Sequence, residues 1–432
     1  MIDSYQPTGD QASITATPSS VAVIGASHAA IALADRLRAM GYEGGITLFS
    51  DEDRIPYQRP PLSKAWLRGE ATGESVLLRD GGYYEDRKIE LVTGARVEHL
   101  ERTADGVRVA FVLPGGRHVR EYDRIVLATG ASARRLDLPG ADHEGVLVLR
   151  GLDDARRLAA RVASGPTVVI GGGFIGLEVA ATARLLGADV TVVEAGAQLL
   201  GRAVGATTAE TLLKAHRAMA TDVVLGAVPT EIIYDHNGIR HVILADGREV
   251  PASTVLIGVG AQPRTELAEQ LGVECDNGVV VDADCRASDG WTLAIGDCTV
   301  QNSQSGTRYR LESVDNATEQ AHAAAAAILG EDRPVRQEPW FWSDQGDQKL
   351  QIVGLLGGHT SVIVRRDASK PRRQVALYFS GERLIAAECL NAPADFVALR
   401  AAMSRGCRLG PAALSDQSVP LKKLLDPVRV GG

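Results

Sequence analysis

The chain has 432 residues, too many for one ordinary domain, and 45% of them are hydrophobic, enough for two or three packed cores. Its 46 basic and 54 acidic residues give a formal charge of −8, which argues against a broad nucleic-acid surface but leaves room for local basic patches facing an acidic protein. No apolar run reaches the roughly 18 residues of a membrane span, and the N-terminus lacks the basic start and apolar stretch of a signal or transit peptide.

Residues 1–18 read as a polar disordered leader, and the chain is expected to be cytoplasmic, monomeric or weakly dimeric, with no metal. The β-branched run Val21–Ile24 leads into Gly25-Ala26-Ser27-His28-Ala29-Ala30 and then a helix. In that helix Ile31, Ala34 and Leu37 share a face, and Gly41 stops it. Ile46–Phe49 is the next strand, followed by Asp51 and Glu52, either of which stands where a ribose-binding acid is needed. Pro60-Pro61-Leu62-Ser63-Lys64 carries a lysine on a stiff turn; read alone, such a lysine is solvated. Val107–Leu113 and Val119–Tyr122 are antiparallel in character, and strand Arg124–Leu127 runs into the small residues Ala128-Thr129-Gly130.

The same strand–turn–helix grammar returns at Thr167–Ile170, followed by Gly171-Gly172-Gly173-Phe174-Ile175-Gly176 and a helix over 177–186. Gly187 ends that helix and strand Val190–Val193 follows, so each half predicts a doubly wound parallel sheet. In this turn Gly171 permits the tight bend, Gly173 lets backbone approach a pyrophosphate, and Gly176 lets helix pack on strand. Glu194 ends the next strand, where a carboxylate holds a ribose 2′-OH and repels a 2′-phosphate, so NADH is expected over NADPH. The first turn departs from this pattern, with Ser27 in its second glycine place and Ala30 in its third. Further on, Ala294-Ile295-Gly296-Asp297-Cys298 puts a carboxylate after a short strand, suited to polyol hydroxyls. Beyond about Glu338, short strands at 350–355, 361–365, 374–379 and 384–389, then a helix over 396–404, look like a separate α+β unit. Its Trp340 and Trp342 read by composition as core aromatics.

The motifs GASHAA, RPPLSK, LATG, GGGFIGLE, AIGDC, RLESVDNA and PWFWSDQ, in this order, resemble the oxygenase-coupled NADH–ferredoxin reductases, from about Val21 to Lys423. The resemblance implies an α/β, glutathione-reductase-like fold with two Rossmann-type dinucleotide-binding domains and a C-terminal α+β domain. It puts an FAD-binding domain at 19–130 and 256–334, an NADH-binding domain at 131–255 and a C-terminal domain at 335–432. It implies FAD contacts for Gly25, Ser27, His28, Ala29, Ala30, Lys64, Val97, Thr129, Gly130, Arg134, Asp297, Val314 and Trp342. NAD contacts fall on Gly171, Gly173, Phe174, Ile175, Gly176, Glu178 and Glu194. Lys64 beside the isoalloxazine, paired with Glu178, is the implied catalytic pair, and Trp340 and Trp342 cover the flavin edge near the partner's docking surface. The implied partner is a 2Fe-2S ferredoxin, and the Glu312-Ser313-Val314 sequence is that of the monooxygenase type. Docking cations by sequence position are Arg308, Arg310, Lys349, Lys422 and Lys423.

The cysteines bear on the alternatives. They are Cys275, Cys285, Cys298, Cys389 and Cys407, with no C-x-x-C pair and none before Cys275. A disulfide reductase needs a pair beside the flavin and an NADH peroxidase one such cysteine, and neither exists near Tyr57–Lys64. Rubredoxin reduction, oxygen reduction by an NADH oxidase, and a signalling flavoprotein like apoptosis-inducing factor remain the rivals.

Overall fold

The computed structural model describes residues 17–302, 308–367, 369–406 and 410–425. All but the last two positions of the expected leader, and Cys407, lie outside them. Strand Ser20–Ile24 is almost wholly buried and pairs in parallel with Gly45–Phe49 on one side and Arg124–Leu127 on the other. Ile89–Val92 and Leu293–Ala294 extend this into a five-stranded parallel sheet. Helix His28–Ala39 crosses over it, burying Ala30, Ile31, Leu33, Ala34 and Leu37. Its neighbour is helix Val314–Leu329, whose Ala321, Ala323, Ala324 and Ala325 join the same core. Alanine on the facing helix allows a close approach with few rotamers to fix.

A second parallel sheet runs Asp222–Leu225, Val190–Glu194, Thr167–Ile170, Thr254–Ile257, Val146–Leu147. The boundary expected after residue 255 therefore runs through a strand: Leu256 and Ile257 pair with Val169 and Ile170 and belong to this sheet. Periodicity could not reveal this, because a continuous apolar run does not say which sheet it joins. Its crossover helix is Phe174–Leu185, starting three residues earlier than expected at the glycine turn itself. Two antiparallel meanders flank these sheets, one of them Arg96–Arg102, Val107–Leu113 and Gly116–Tyr122.

The C-terminal unit is a five-stranded antiparallel sheet ordered Trp340–Gln345, Gln348–Gly354, Arg383–Leu390, Lys370–Ser380, Ser361–Asp367, with helix Pro393–Ser404 packed on it. The first of these strands was not anticipated, because its aromatic run hides the alternation of a two-sided strand. Polar contacts join this sheet to helix Ala206–Ala218 of the second unit: buried Gln374 Nε2 donates to Thr208 Oγ1 at 3.2 Å and half-buried Thr211 Oγ1 to Gln374 Oε1 at 3.0 Å. Glu388, 1% exposed, accepts from the Gly205 amide at 2.8 Å and from the Tyr378 hydroxyl at 2.7 Å.

Burial pushes the Glu388 carboxyl above its ordinary 4.5, against hydrogen bonds from Thr208, Tyr378 and the Gly205 amide. The unfolded chain ionises first, so folding takes up a proton above that pH and stability falls as pH rises toward the folded value. Glu388→Gln keeps an acceptor for Gly205 and removes the charge. Its melting temperature relative to the native protein is expected to climb between pH 5 and pH 8, by about 2 °C or more. A difference independent of pH would mean that the carboxyl is not protonated on folding.

Candidate functional site

Both glycine turns are places where only glycine fits. Gly25 has φ +108°, and a Cβ there would lie 2.1 Å from the Ala128 carbonyl oxygen; Gly171 has φ +105°, with the Gly258 carbonyl oxygen 2.5 Å away. Each turn delivers the chain to a helix with no side-chain cap and no acidic residue in its first turn, the N-caps being Ser27 and Gly173. The first amides of both helices are thus orphan donors at positive dipole ends. Both open on one continuous cavity of about 2970 Å³. Its size exceeds that of a typical single-ligand pocket several-fold, and its paired helix termini suit two pyrophosphates. The Arg150 Nε, buried without a partner among the described residues, is a further donor at this wall.

Gly25, Ser27, His28 and Ala29 line the first end of this cavity, together with Val97, Thr129, Gly130, Arg134, Asp297 and Val314. Gly171, Gly173, Phe174, Ile175, Glu178 and Glu194 line the other, and Lys64, Trp340 and Trp342 also reach its wall. Two expected contacts do not. Ala30 is fully buried in the core beneath the turn, and Gly176 faces back toward the turn, where a Cβ would meet the Gly171 carbonyl oxygen at 2.3 Å. Both are third positions of a glycine turn, and the structure gives them packing in place of the cavity contact expected from the resemblance.

The charged groups at the first end are already organised. Asp297 pairs with Arg150 at 2.8 Å; Glu52 takes Arg59 at 2.9 Å and the Tyr57 hydroxyl at 2.6 Å; Asp51 pairs with Arg264 at 3.0 Å. Asp51 and Glu52 both line the cavity. Burial, then the Arg59 charge, lowers His28 to about 4, so at neutral pH it is an uncharged imidazole among arginines. Burial raises the Glu312 carboxyl against the pull of Arg310. Arg59, Arg150 and Glu312 had no individual signal in the sequence, since an isolated charge on a loop says nothing of its partners.

At the opposite end, Glu194 accepts the Gly172 amide on Oε2 and the Gly196 amide on Oε1, both at 2.6 Å. Between the two ends, Lys64 Nζ lies 2.6 Å from Glu178 Oε2, with side-chain exposures of 14% and 7%. The isolated-lysine reading is therefore overturned: the turn Pro60–Ser63 folds the side chain inward against helix Phe174–Leu185. Ser63 Oγ donates to the same carboxylate oxygen at 2.5 Å, and Thr182 Oγ1 donates to the Ser63 carbonyl at 2.9 Å.

A second cleft of about 710 Å³ meets the first cavity at His28, Pro60, Lys64, Val314 and Trp342, and carries Arg68, Arg79, Asp344 and Lys349. Trp342 stacks on Trp340 with centroids 5.3 Å apart, and Arg400 lies 4.9 Å over the Trp340 ring. Of the expected docking cations only Lys349 lines this cleft. Arg308 is engaged by Asp276 and Glu274, Arg310 by Asn277 and Glu312, and Lys422 and Lys423 sit on the short helix Leu421–Leu424. Cys275, Cys285, Cys298 and Cys389 line neither cavity, and burial raises each thiol. No helix among the described residues is long and apolar enough to cross a membrane.

Residues 19–321 match the family described as pyridine nucleotide-disulphide oxidoreductase, and residues 340–425 match the reductase C-terminal family. Putidaredoxin reductase of Pseudomonas putida is 37% identical over 412 residues, covering 94% of this chain and 96% of that protein. The covalent putidaredoxin reductase–putidaredoxin complex superposes with a TM-score of 0.89 at 35% identity, covering 94% of this chain and 98% of that one. The ferredoxin reductase for the CYP199A2 system from Rhodopseudomonas palustris has the same TM-score at 38% identity, over 94% of this chain and all of that one.

Proposed function

The chain belongs to the pyridine nucleotide-disulphide oxidoreductase family, as an FAD- and NAD-dependent ferredoxin reductase of the kind found in oxygenase systems, and from that premise we propose that it carries electrons from NADH to a 2Fe-2S ferredoxin feeding a cytochrome P-450-type monooxygenase. The observation that carries this is the single cavity with an uncapped helix at each end and a second, cation-bearing opening at Lys64 and Trp342. In this reading residues up to 130 and from 258 to about 334 hold FAD, residues 131–257 hold NADH, and the rest forms the C-terminal domain.

FAD, when bound, accepts electrons as a hydride pair and releases them singly. The chain's residues supply the rest. The Ser27 turn and the helix behind it hold the FAD pyrophosphate, Asp297 accepts from the ribityl hydroxyls, and Arg134, Thr129, Gly130, Val97 and Val314 border the same ligand. Gly171 to Ile175 take the NADH pyrophosphate, and Glu194 takes the ribose. Lys64 puts a positive charge where negative charge develops, and Glu178 holds it there. Trp340 and Trp342 cover the exit and exclude water. With no cysteine among the described residues on the wall, the family's disulfide chemistry finds no acceptor there, which favours an external one.

An acidic ferredoxin is the partner that fits the second cleft. Lys349 is exposed and has no carboxylate partner among the described residues, whereas Arg68 and Arg79 are paired with Glu70 and Asp35. Charge at such a rim acts on association and is screened by salt. Lys349→Glu is therefore expected to raise the KM for ferredoxin about fivefold or more at low salt, with the gap closing as salt rises. Reduction of ferricyanide, which needs no docking surface, should change little. Equal loss with both acceptors would refute docking at this cleft. The oxygenase assignment is tested by NADH-driven turnover with purified 2Fe-2S ferredoxins of the monooxygenase and dioxygenase types; faster turnover with the second type, or with oxygen alone, would overturn it.

A further inference from the structure

Distant parts of the chain meet on the Glu178 carboxylate. Its Oε2 accepts from Ser63 and Lys64, and its Oε1 accepts from Ser343 Oγ at 2.7 Å, a hydroxyl on the C-terminal strand Trp340–Gln345. Ser343 is completely buried. A hydroxyl has one proton, so having given it to the carboxylate Ser343 must accept from its other neighbour. That neighbour is Gln345, also completely buried, whose Nε2 donates to Ser343 Oγ at 3.2 Å. The amide is thereby turned so that Oε1 faces His216 Nε2 at 2.9 Å, and the ring must donate from that nitrogen. His216 is buried, which lowers its pKa, and its Nδ1 has no partner among the described residues. The chain His216, Gln345, Ser343, Glu178 thus has a single direction, with every donor aimed toward the carboxylate.

We infer that Ser343 is a positioning residue for flavin reduction, its hydroxyl fixing the Glu178 carboxylate in the orientation that holds the Lys64 ammonium at the junction of the two cavities. Alternation along the strand makes this possible. Trp340 and Trp342 stack with each other, while the intervening Phe341 meets Phe174 of the Glu178 helix with ring centroids 4.5 Å apart. One strand therefore covers the exit with one set of side chains and orients the ion pair with the other. Without the Ser343 hydroxyl, Oε1 is a buried acceptor lacking its donor, and the carboxylate is free to turn away from Lys64.

The inference rests on the reading that Lys64 and Glu178 border the flavin, and its test separates the two. FAD-loaded Ser343→Ala, Ser343→Thr, Lys64→Ala and the Lys64→Ala/Ser343→Ala double variant are compared by rapid-mixing reduction with saturating NADH and by flavin midpoint potential. Ser343→Ala is expected to slow the limiting reduction rate about tenfold and lower the potential, with NADH affinity nearly unchanged. Ser343→Thr, which keeps the hydroxyl, should recover most of the rate and the potential. If Ser343 acts through the ion pair, the double variant is no slower than Lys64→Ala, whereas an independent effect multiplies. A Ser343→Ala variant with native rate and potential, a failure of threonine to rescue, or a multiplicative double variant each overturns the inference. Native behaviour of Lys64→Ala overturns the underlying reading instead. Should Ser343→Ala lose FAD, Gln345→Met, which removes the orienting amide and leaves the hydroxyl, is expected to slow reduction about threefold at unchanged FAD content, and a native rate there overturns the inference.

Discussion

Lys64→Ala is expected to slow reduction of the bound FAD by NADH at least about a hundredfold and to lower the flavin's potential. Both partners of the Lys64–Glu178 pair are largely buried, so the ammonium acts at reduced dielectric and is worth more than a surface charge. Removing it has a second consequence: Glu178 is left as a buried carboxylate with hydroxyl donors but no counter-ion. Breaking a buried pair from one side costs about 3–5 kcal/mol, so Lys64→Ala should also lower the melting temperature. Lys64→Met with Glu178→Gln separates the two effects. Removing both charges at nearly constant volume should restore stability while leaving flavin reduction slow. Stopped-flow reduction and thermal melts on the same FAD-loaded samples decide it. If the double variant reduces as fast as the native protein, the pair is structural.

The second large effect is expected at Glu194. Its two oxygens accept the Gly172 and Gly196 amides, and a Cβ at Gly196 would come within 2.9 Å of the carboxylate oxygen, so a side chain there would push on the carboxylate. Swinging the carboxylate aside to admit a 2′-phosphate would break both of these hydrogen bonds, yet each oxygen keeps a lone pair for ribose hydroxyls. At an effective dielectric of 20, a unit charge pair about 4 Å apart is worth about 4 kcal/mol, and a fraction of that suffices for strong discrimination. NADH should exceed NADPH by at least about tenfold in kcat/KM. Glu194→Gln should narrow that ratio several-fold, mainly by improving the KM for NADPH. Steady-state assays with both cofactors check this, and equal native efficiencies would mean that Glu194 does not face the ribose.

Much of the framework was legible because it is local. A β-branched run, a glycine turn and a helical stripe lie within about 20 residues of one another, and the conformations that Gly25 and Gly171 adopt follow from what a tight strand-to-helix turn requires of any backbone. The absence of cysteine before Cys275 was equally readable, because a missing nucleophile cannot be supplied by folding. Tertiary structure decided what depends on meeting. Leu256 and Ile257 joined the second sheet through strand pairing that no run of apolar residues encodes. Lys64 was buried because the Pro60–Ser63 turn docks on a helix more than a hundred positions along the chain, and Ser343 reached Glu178 from 165 residues away. A solvated lysine and a paired one have the same sequence signature. Only the fold fixes which carboxylate, hydroxyl or solvent lies within hydrogen-bond distance, since a buried polar group takes its partner from whatever segment the topology brings beside it.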